Sequence, residues 1–532
     1  MLKKLSIIFV FCVFVGLMSA RAQFDSLNYA INGENYFFSR NASLINGLNI
    51  STISLCEISL SAEKGGFKNY YQADKSLMPE VKAESFYRFN PKVSGYGKIS
   101  YSNFYGDGIS GSAFVDPENV PFDIVEQNAE NSGVKNLETY DIVGAIAVEV
   151  FNNFSLGAKF DYTAANYAKR KDLRHKNSFM DMMFSLGLSY QGSFFTTGAD
   201  CFYHRKNQRL KFLTFGTTDK TYNSIISYGA FWGLREEFGA EGFTDKMKEM
   251  PLSDVVRGGN YQLLIKITEN LKWFNDISLS WRSGNYGEKS QYSVQYEKHD
   301  AKIYFLSGSL FLTKHKFTHS LNYQAEKEEL NVFKNIFKTE TFDGGLTDYI
   351  YYDKLKISQR DFRVLKLVYN CLLFSNLNEK KQVWDFCISG AFSNRNLVAV
   401  KYPFWRHQDL TTKQIDVSLS EKNCLSEEKE ITFRIGGGLK KGSGYPYIDG
   451  WYFEPDIQSV SPSQSDVFLN MEYEYLCKPQ LNLNFALKYS QKIFSDRIKA
   501  YISVDYEFLR AKNTVNISNE RNFCVLRVGA EF

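Results

Sequence analysis

The chain has 532 residues, 44% of them hydrophobic and 16% aromatic, with 63 Lys+Arg against 59 Asp+Glu for a net charge of +4. So even a balance argues against nucleic acid as a partner, and a mean hydropathy of −0.32 excludes a bundle of apolar helices. Yet this many rings exceed what a soluble core uses unless some of them meet lipid, and strands apolar at every second residue satisfy both demands, as in a transmembrane β-barrel.

In chain order, Met1-Leu2-Lys3-Lys4, the apolar run from Leu5 to Met18 and Ser19-Ala20-Arg21-Ala22 read as a secretory signal. The run is shorter than the roughly 20 residues a spanning helix needs. Residues 1–22 are expected to be removed, 23–48 to form a periplasmic or lumenal segment, and 49–532 to form the barrel. The implied location is the outer membrane of a Gram-negative bacterium.

From about residue 50 the chain alternates with period two in hairpin pairs. Ile142, Gly144, Ile146, Val148 and Val150 share one face before Asn152-Asn153, and Leu156, Ala158, Phe160 and Tyr162 share one after it. The pattern recurs over 180–190 with 194–203 and over 261–267 with 273–281. Further short junctions fall at 313–316, 376–381, 421–428 and 477–480. Long connections are expected at 106–139, 206–258, 285–299, 329–357, 395–409 and 442–464. Short turns on one side and long loops on the other give an all-β, antiparallel outer-membrane barrel with long external loops. About nineteen segments can be counted, whereas such a barrel needs an even number, so roughly sixteen to twenty strands are expected. The count fails to alternate near 490–521.

The last residues, Cys524, Leu526, Val528, Ala530 and Phe532, lie on one face of a final strand. This resembles the C-terminal signal of outer-membrane barrels, which implies that Phe532 addresses the barrel-assembly machinery.

Candidate site residues follow from the lumen-facing charges. Arg434 and Arg527, opposite Glu472, Glu474, Asp505 and Glu507, are the best pore candidates, since charged rings select ions by sign. A mesh of mutually satisfied charges filling the interior is an equal alternative. Lys169, Arg170, Lys171 and Arg174 crowd one external loop, where they would bind phosphates or other anions. The 206–258 loop carries Tyr228, Phe231, Trp232, Phe238, Phe243, Met247 and Met250, enough apolar surface to fold inward as a constriction or to bind a surface partner.

No cofactor or metal is implied. The seven cysteines beyond the signal have no CxxC spacing, and Cys56, Cys201 and Cys524 fall at lipid-facing positions. The sequence lacks HExxH and GxSxG, and the glycines from Gly437 to Gly444 lack the lysine position of a phosphate loop. His319 and Ser320 are adjacent on a strand, so they point to opposite faces and cannot act as base and nucleophile.

Tyr36-Phe37-Phe38 followed by Asn41-Ala42-Ser43-Leu44, with the length and Tyr/Phe richness, resembles an uncharacterised outer-membrane β-barrel family of the Bacteroidota. Asn41 to Leu44 also resembles, with Pro and Gly absent, the Asn-Pro-Ala-Gly-Leu stretch of long-chain fatty-acid transporter barrels. The segment before residue 49 is too short for the plug domain of a TonB-dependent receptor. These features lead to the expectation of a non-enzymatic barrel for passage or capture of a small solute, in contact with outer-membrane lipids. The alternative is a closed structural or binding barrel whose loops engage a surface lipoprotein, receptor or transport partner.

Overall fold

A computed structural model describes residues 39–48, 52–127, 129–214, 222–238, 250–290, 293–341, 347–376, 381–493 and 498–532. The expected signal and residues 23–38 lie outside the described residues. In chain order the strands are β1 (Thr52–Lys64), β2 (Lys75–Asn90), β3 (Val93–Ile109), β4 (Asp123–Glu126), β5 (Gly133–Phe151), β6 (Phe154–Lys169), β7 (Arg174–Gln191), β8 (Phe195–Leu213), β9 (Tyr222–Gly229), β10 (Trp232–Phe238), β11 (Met250–Lys266) and β12 (Leu271–Ser290). They continue as β13 (Ser293–Lys314), β14 (Phe317–Thr341), β15 (Thr347–Asn376), β16 (Lys381–Lys401), β17 (Phe404–Cys424), β18 (Lys429–Trp451), β19 (Ser463–Gln464), β20 (Gln480–Ile493), β21 (Ile498–Ala511) and β22 (Glu520–Glu531).

Eighteen of these form one antiparallel barrel in chain order, with β4, β9, β10 and β19 set aside in a separate four-stranded sheet. The barrel closes where β22 pairs with β1, from Leu55 opposite Glu531 to Lys64 opposite Asn522. Closure leaves no unpaired edge, which a bilayer requires. The final residue extends the seam: Phe532 N–H donates to the Ser54 carbonyl at 2.9 Å, and its own carbonyl accepts from Ser54 N–H at 2.7 Å.

The even count falls within the expected range, and the surplus segment of the sequence reading is identified. The stretch ending at Cys477 is a helix, α1 (Asp466–Cys477). Its Glu-Tyr-Glu-Tyr alternation imitates a strand, but Phe468, Leu469, Met471 and Glu472 are buried on one helical side. The difficult region near 490–521 becomes β20, β21 and the start of β22, with the external connection at 512–519.

Several expected loops are strand. β14 and β15 run for 25 and 30 residues, far more than the roughly 9–11 a tilted spanning strand needs, and so project beyond the bilayer. The apolar face changes sides along the way. On β14, Phe317 and Leu321 are exposed outward, whereas further along Leu330 and Val332 are buried inward. On β12, Ile277, Leu279 and Trp281 face out, and Tyr286 is buried within. Within the membrane the outside is greasy and the lumen wet; above it, water meets the outside and the lumen becomes a core. Cys201 and Cys524 are exposed on the outer face, and half-buried Cys56 shares it.

Apolar side chains at the outer end of the lumen pack around the four-stranded sheet, ordered β19-β10-β9-β4. Phe114, Phe122, Ile124, Ile225, Ile226, Tyr228, Phe231, Trp232 and Phe468 form one core with the wall residues Phe212, Tyr286, Tyr296, Leu330 and Ala399. The β9–β10 turn places Ala230 and Phe231 at φ 48° and 52°, left-handed values that L-residues rarely adopt. Burial of the Phe231 ring, 4.7 Å from Tyr70 and edge-on to it, offsets that strain. Tyr228, Phe231 and Trp232 thus fold inward. Phe243 and Met247 lie outside the described residues.

Lower in the lumen sits a short 3₁₀ helix, Ala42–Gly47. Leu44, Ile45 and Leu48 pack on Ile53, Phe86, Leu264, Phe274 and Phe311. Asn41 caps the helix by accepting from Ser43 N–H at 3.1 Å, and its amide donates to Leu188 O and Gln262 Oε1, both at 3.0 Å. Gly157 and Gly187 let the segment approach the wall: a Cβ would lie 2.2 Å from Ser43 N at the first and 2.1 Å from Asn41 Oδ1 at the second.

Candidate functional site

The wall from β16 to β22 borders a cavity of about 400 Å³. Strand alternation delivers its lining: as Phe433, Ile435, Phe485, Val504, Tyr506 and Val528 face outward, Arg434, Asn484, Asp505, Glu507 and Arg527 face the lumen. Phe523 and Val525 add an apolar patch, and Cys387, Ser389, Asp416 and Ser418 complete the wall from β16 and β17.

The charges are unevenly satisfied. Arg527 pairs with Asp505. Asp416 accepts from Gln414 Nε2 at 2.8 Å and Asn482 Nδ2 at 3.0 Å. Gly436 and Gly438 on β18 make room for such side chains to lie flat against the wall. A Cβ would come within 2.5 Å of Asn484 Oδ1 at the first and 2.0 Å of Asp416 Oδ1 at the second. Arg434 approaches an acid only at 3.9 Å, Asp385, and its side chain is 52% exposed.

The structure therefore brings together four of the sequence-derived candidates, Arg434, Asp505, Glu507 and Arg527. Glu472 and Glu474 are elsewhere, on α1 in the external connection, because that stretch is helical. Glu472 grips Arg395 through two bonds of 3.0 and 2.6 Å. Glu474 accepts from the backbone N–H groups of Val515, Asn516 and Ile517, tying down the β21–β22 connection. The basic loop is also divided. Lys169 is buried against Glu126, Arg174 pairs with Asp172 at 2.7 Å, Lys171 donates to Glu130 O at 3.2 Å, and Arg170 is exposed. His319 bonds the Tyr369 hydroxyl at 2.9 Å, while Ser320 is buried on the opposite face.

A set of wall arginines reaching inward secures the outer packing; strand parity puts Arg282 on the lumen face, whereas sequence reasoning missed Arg360, Arg395 and Arg406. Arg282 binds Asp254 at 2.7 Å and Glu328 at 2.8 Å and donates to Asn119 O at 2.6 Å. Arg360 shares Glu328 and reaches Val120 O at 3.3 Å. Fully buried Arg406 holds Asp449, Gln464 and Ala230 O. Each guanidinium offers more donors than one carboxylate absorbs, so the remainder seize loop carbonyls. Arg395 and Arg406 lie in the stretch 395–409 that read as a loop, so no alternation signal marked them. The same packing buries Asp123 between the Tyr70 hydroxyl at 2.9 Å and Ser112 Oγ at 2.5 Å. Burial pushes this carboxyl from its ordinary 3.8 up to about 7.

Residues 42–532, which include the lumenal 3₁₀ helix and every barrel strand, match a family of unknown function (DUF6850). The chain belongs to the DUF6850 family. Among solved structures, the DUF6850 barrel is similar to BauA, the ferric preacinetobactin receptor of Acinetobacter baumannii, at 8% identity and TM-score 0.40 over 91% of this chain and 80% of that one. It is similar to Fiu, the ferric-catecholate import receptor of E. coli, at 6% identity and TM-score 0.38 over 91% and 82%. A deletion mutant of the TodX monoaromatic hydrocarbon channel gives 10% identity and TM-score 0.30 over 94% of each chain. No curated protein matches the DUF6850 chain. An outer-membrane β-barrel is the architecture that its closed sheet and outward apolar band require.

Proposed function

We infer that this barrel captures a small polar solute in its lumen and passes it across the outer membrane, without chemistry of its own. The observation that carries this reading is the cavity of about 400 Å³, lined by charges of both signs. Its volume falls at the lower end of the range of about 300–1,000 Å³ typical of small-molecule sites. In the described arrangement the outer core fills the lumen above it, so passage requires that core to shift. The wall arginines bind it through hydrogen bonds and ion pairs that can break and reform.

The test is single-channel recording in planar bilayers, paired with uptake of small radiolabelled solutes into proteoliposomes. Intermittent conductance or saturable uptake supports the reading. Silence in both assays, across voltage and salt, overturns it.

One observation favours a second reading, a closed barrel that binds a surface partner. The β18 end and the connection after it expose Trp451, Tyr452, Phe453 and Ile457 beyond the bilayer, an apolar patch of the kind that marks interaction sites. Silence in both transport assays, together with co-purification of a surface lipoprotein that is lost on Trp451→Ser and Phe453→Ser, would establish this alternative.

A further inference from the structure

The lumenal cavity holds more than an undifferentiated polar surface. Asp505 is neutralised by Arg527, and Asp416 is satisfied by neutral amide donors. Two opposite charges are held more loosely. Arg434 stands 3.9 Å from a single oxygen of Asp385, whose other oxygen accepts no hydrogen bond. Among the described residues, Glu507 forms no ion pair with any lysine or arginine, and it accepts a hydrogen bond from the neutral amide of Asn482. A half-exposed guanidinium with one long ion pair and a carboxylate without a cation stand on one cavity wall, each open to a charged group of a ligand.

Strand register sets their separation. Arg434 lies in a row with Ala486 and Asp505, and Glu507 in the next inward row with Asn484 and Gly436. Two strand spacings and two residues place their backbones about 12 Å apart. Phe523 and Val525 lie along the same wall, an apolar surface beside the gap. A pure cation would meet Arg434 and a pure anion would meet the acids, but a molecule carrying both charges satisfies each end.

Resting on the capture reading above, the geometry points to a small zwitterion as the solute: an amino acid or short peptide whose carboxylate meets Arg434 and whose ammonium meets Glu507, with its side chains against Phe523 and Val525. The Arg434 guanidinium presents paired N–H donors to the carboxylate, and Glu507 accepts from the ammonium.

Equilibrium dialysis of the full chain in detergent against radiolabelled trialanine, N-acetyl-trialanine and trialanine amide tests this. Free trialanine is expected to bind at least ten-fold tighter than either blocked peptide. Arg434→Gln should abolish the preference over the amide, and Glu507→Gln the preference over the acetylated peptide. Heat-modifiable migration reports whether each variant has folded, and the blocked peptides test the wild-type chain without any variant. Equal binding of free and blocked peptides overturns the inference. So does absence of peptide binding while proteoliposomes still take up neutral solutes, an outcome that leaves the capture reading standing. Absence of both binding and uptake removes the two together.

Discussion

Asp123 provides a pH-sensitive handle on the outer packing. Its carboxyl, pushed up to about 7 by burial, is neutral in the packed state between about pH 4 and pH 7 and ionised there once a loop opening exposes it. The packed state therefore binds the extra proton. No cost attaches to packing below about pH 4, the cost grows between pH 4 and 7, and it is full above pH 7. Between pH 5 and pH 8 the packed state should lose roughly 2–3 kcal/mol relative to the opened one, at ~1.36 kcal/mol per unit, on the order of 80-fold in the opening equilibrium. Hydrogen exchange of residues 110–127, read by mass spectrometry and corrected for intrinsic rates, measures this directly. Protection should fall on going from pH 5 to pH 8 in the wild type. In Asp123→Asn, which carries no titrating group at that position, the difference should collapse to a few-fold. Equal protection at the two pH values in the wild type would refute the argument, as would a persistent 80-fold difference in the variant.

Three further outcomes are expected. Phe468→Ala removes a fully buried ring that packs on Tyr70 and Phe231. It should destabilise the outer packing by about 3–5 kcal/mol, seen as faster proteolysis of the external connections while the barrel keeps its heat-modifiable migration. Gly157→Val should expel the lumenal 3₁₀ helix, whose backbone lies 2.2 Å from the added Cβ, and labelling of a cysteine placed at Asn46 should rise several-fold. Phe532→Ser keeps the two backbone bonds to Ser54, so once folded it should lose little stability. Its defect, if the ring is an assembly signal, should be a lower yield of folded barrel in cells, and normal yield would count against that role.

Local sequence was enough to specify the membrane-embedded half of this protein. In the bilayer every second residue must be apolar, so Ile142 to Val150, Leu156 to Tyr162 and Cys524 to Phe532 announce their strand, their face and their partner turn with no tertiary information. The lumenal positions of Arg434, Asp505, Glu507 and Arg527 follow from the same parity. Above the bilayer that signal reverses: Leu330 and Val332 lie on the face opposite Leu321, and a change of phase within one strand looks like a loop. Glu472 and Glu474 were misplaced for a related reason, since two residues of alternation suit a strand or a short helix equally, and packing against Phe231 and Tyr70 decided for the helix. What only the tertiary structure settled is which charges meet. Arg282, Arg360, Arg395 and Arg406 lie far along the chain from the segments they hold, and the cavity is lined from six strands spread over residues 387 to 527. Alternation records the medium that each face of a strand meets, and it carries no record of what folds into the space the strands enclose.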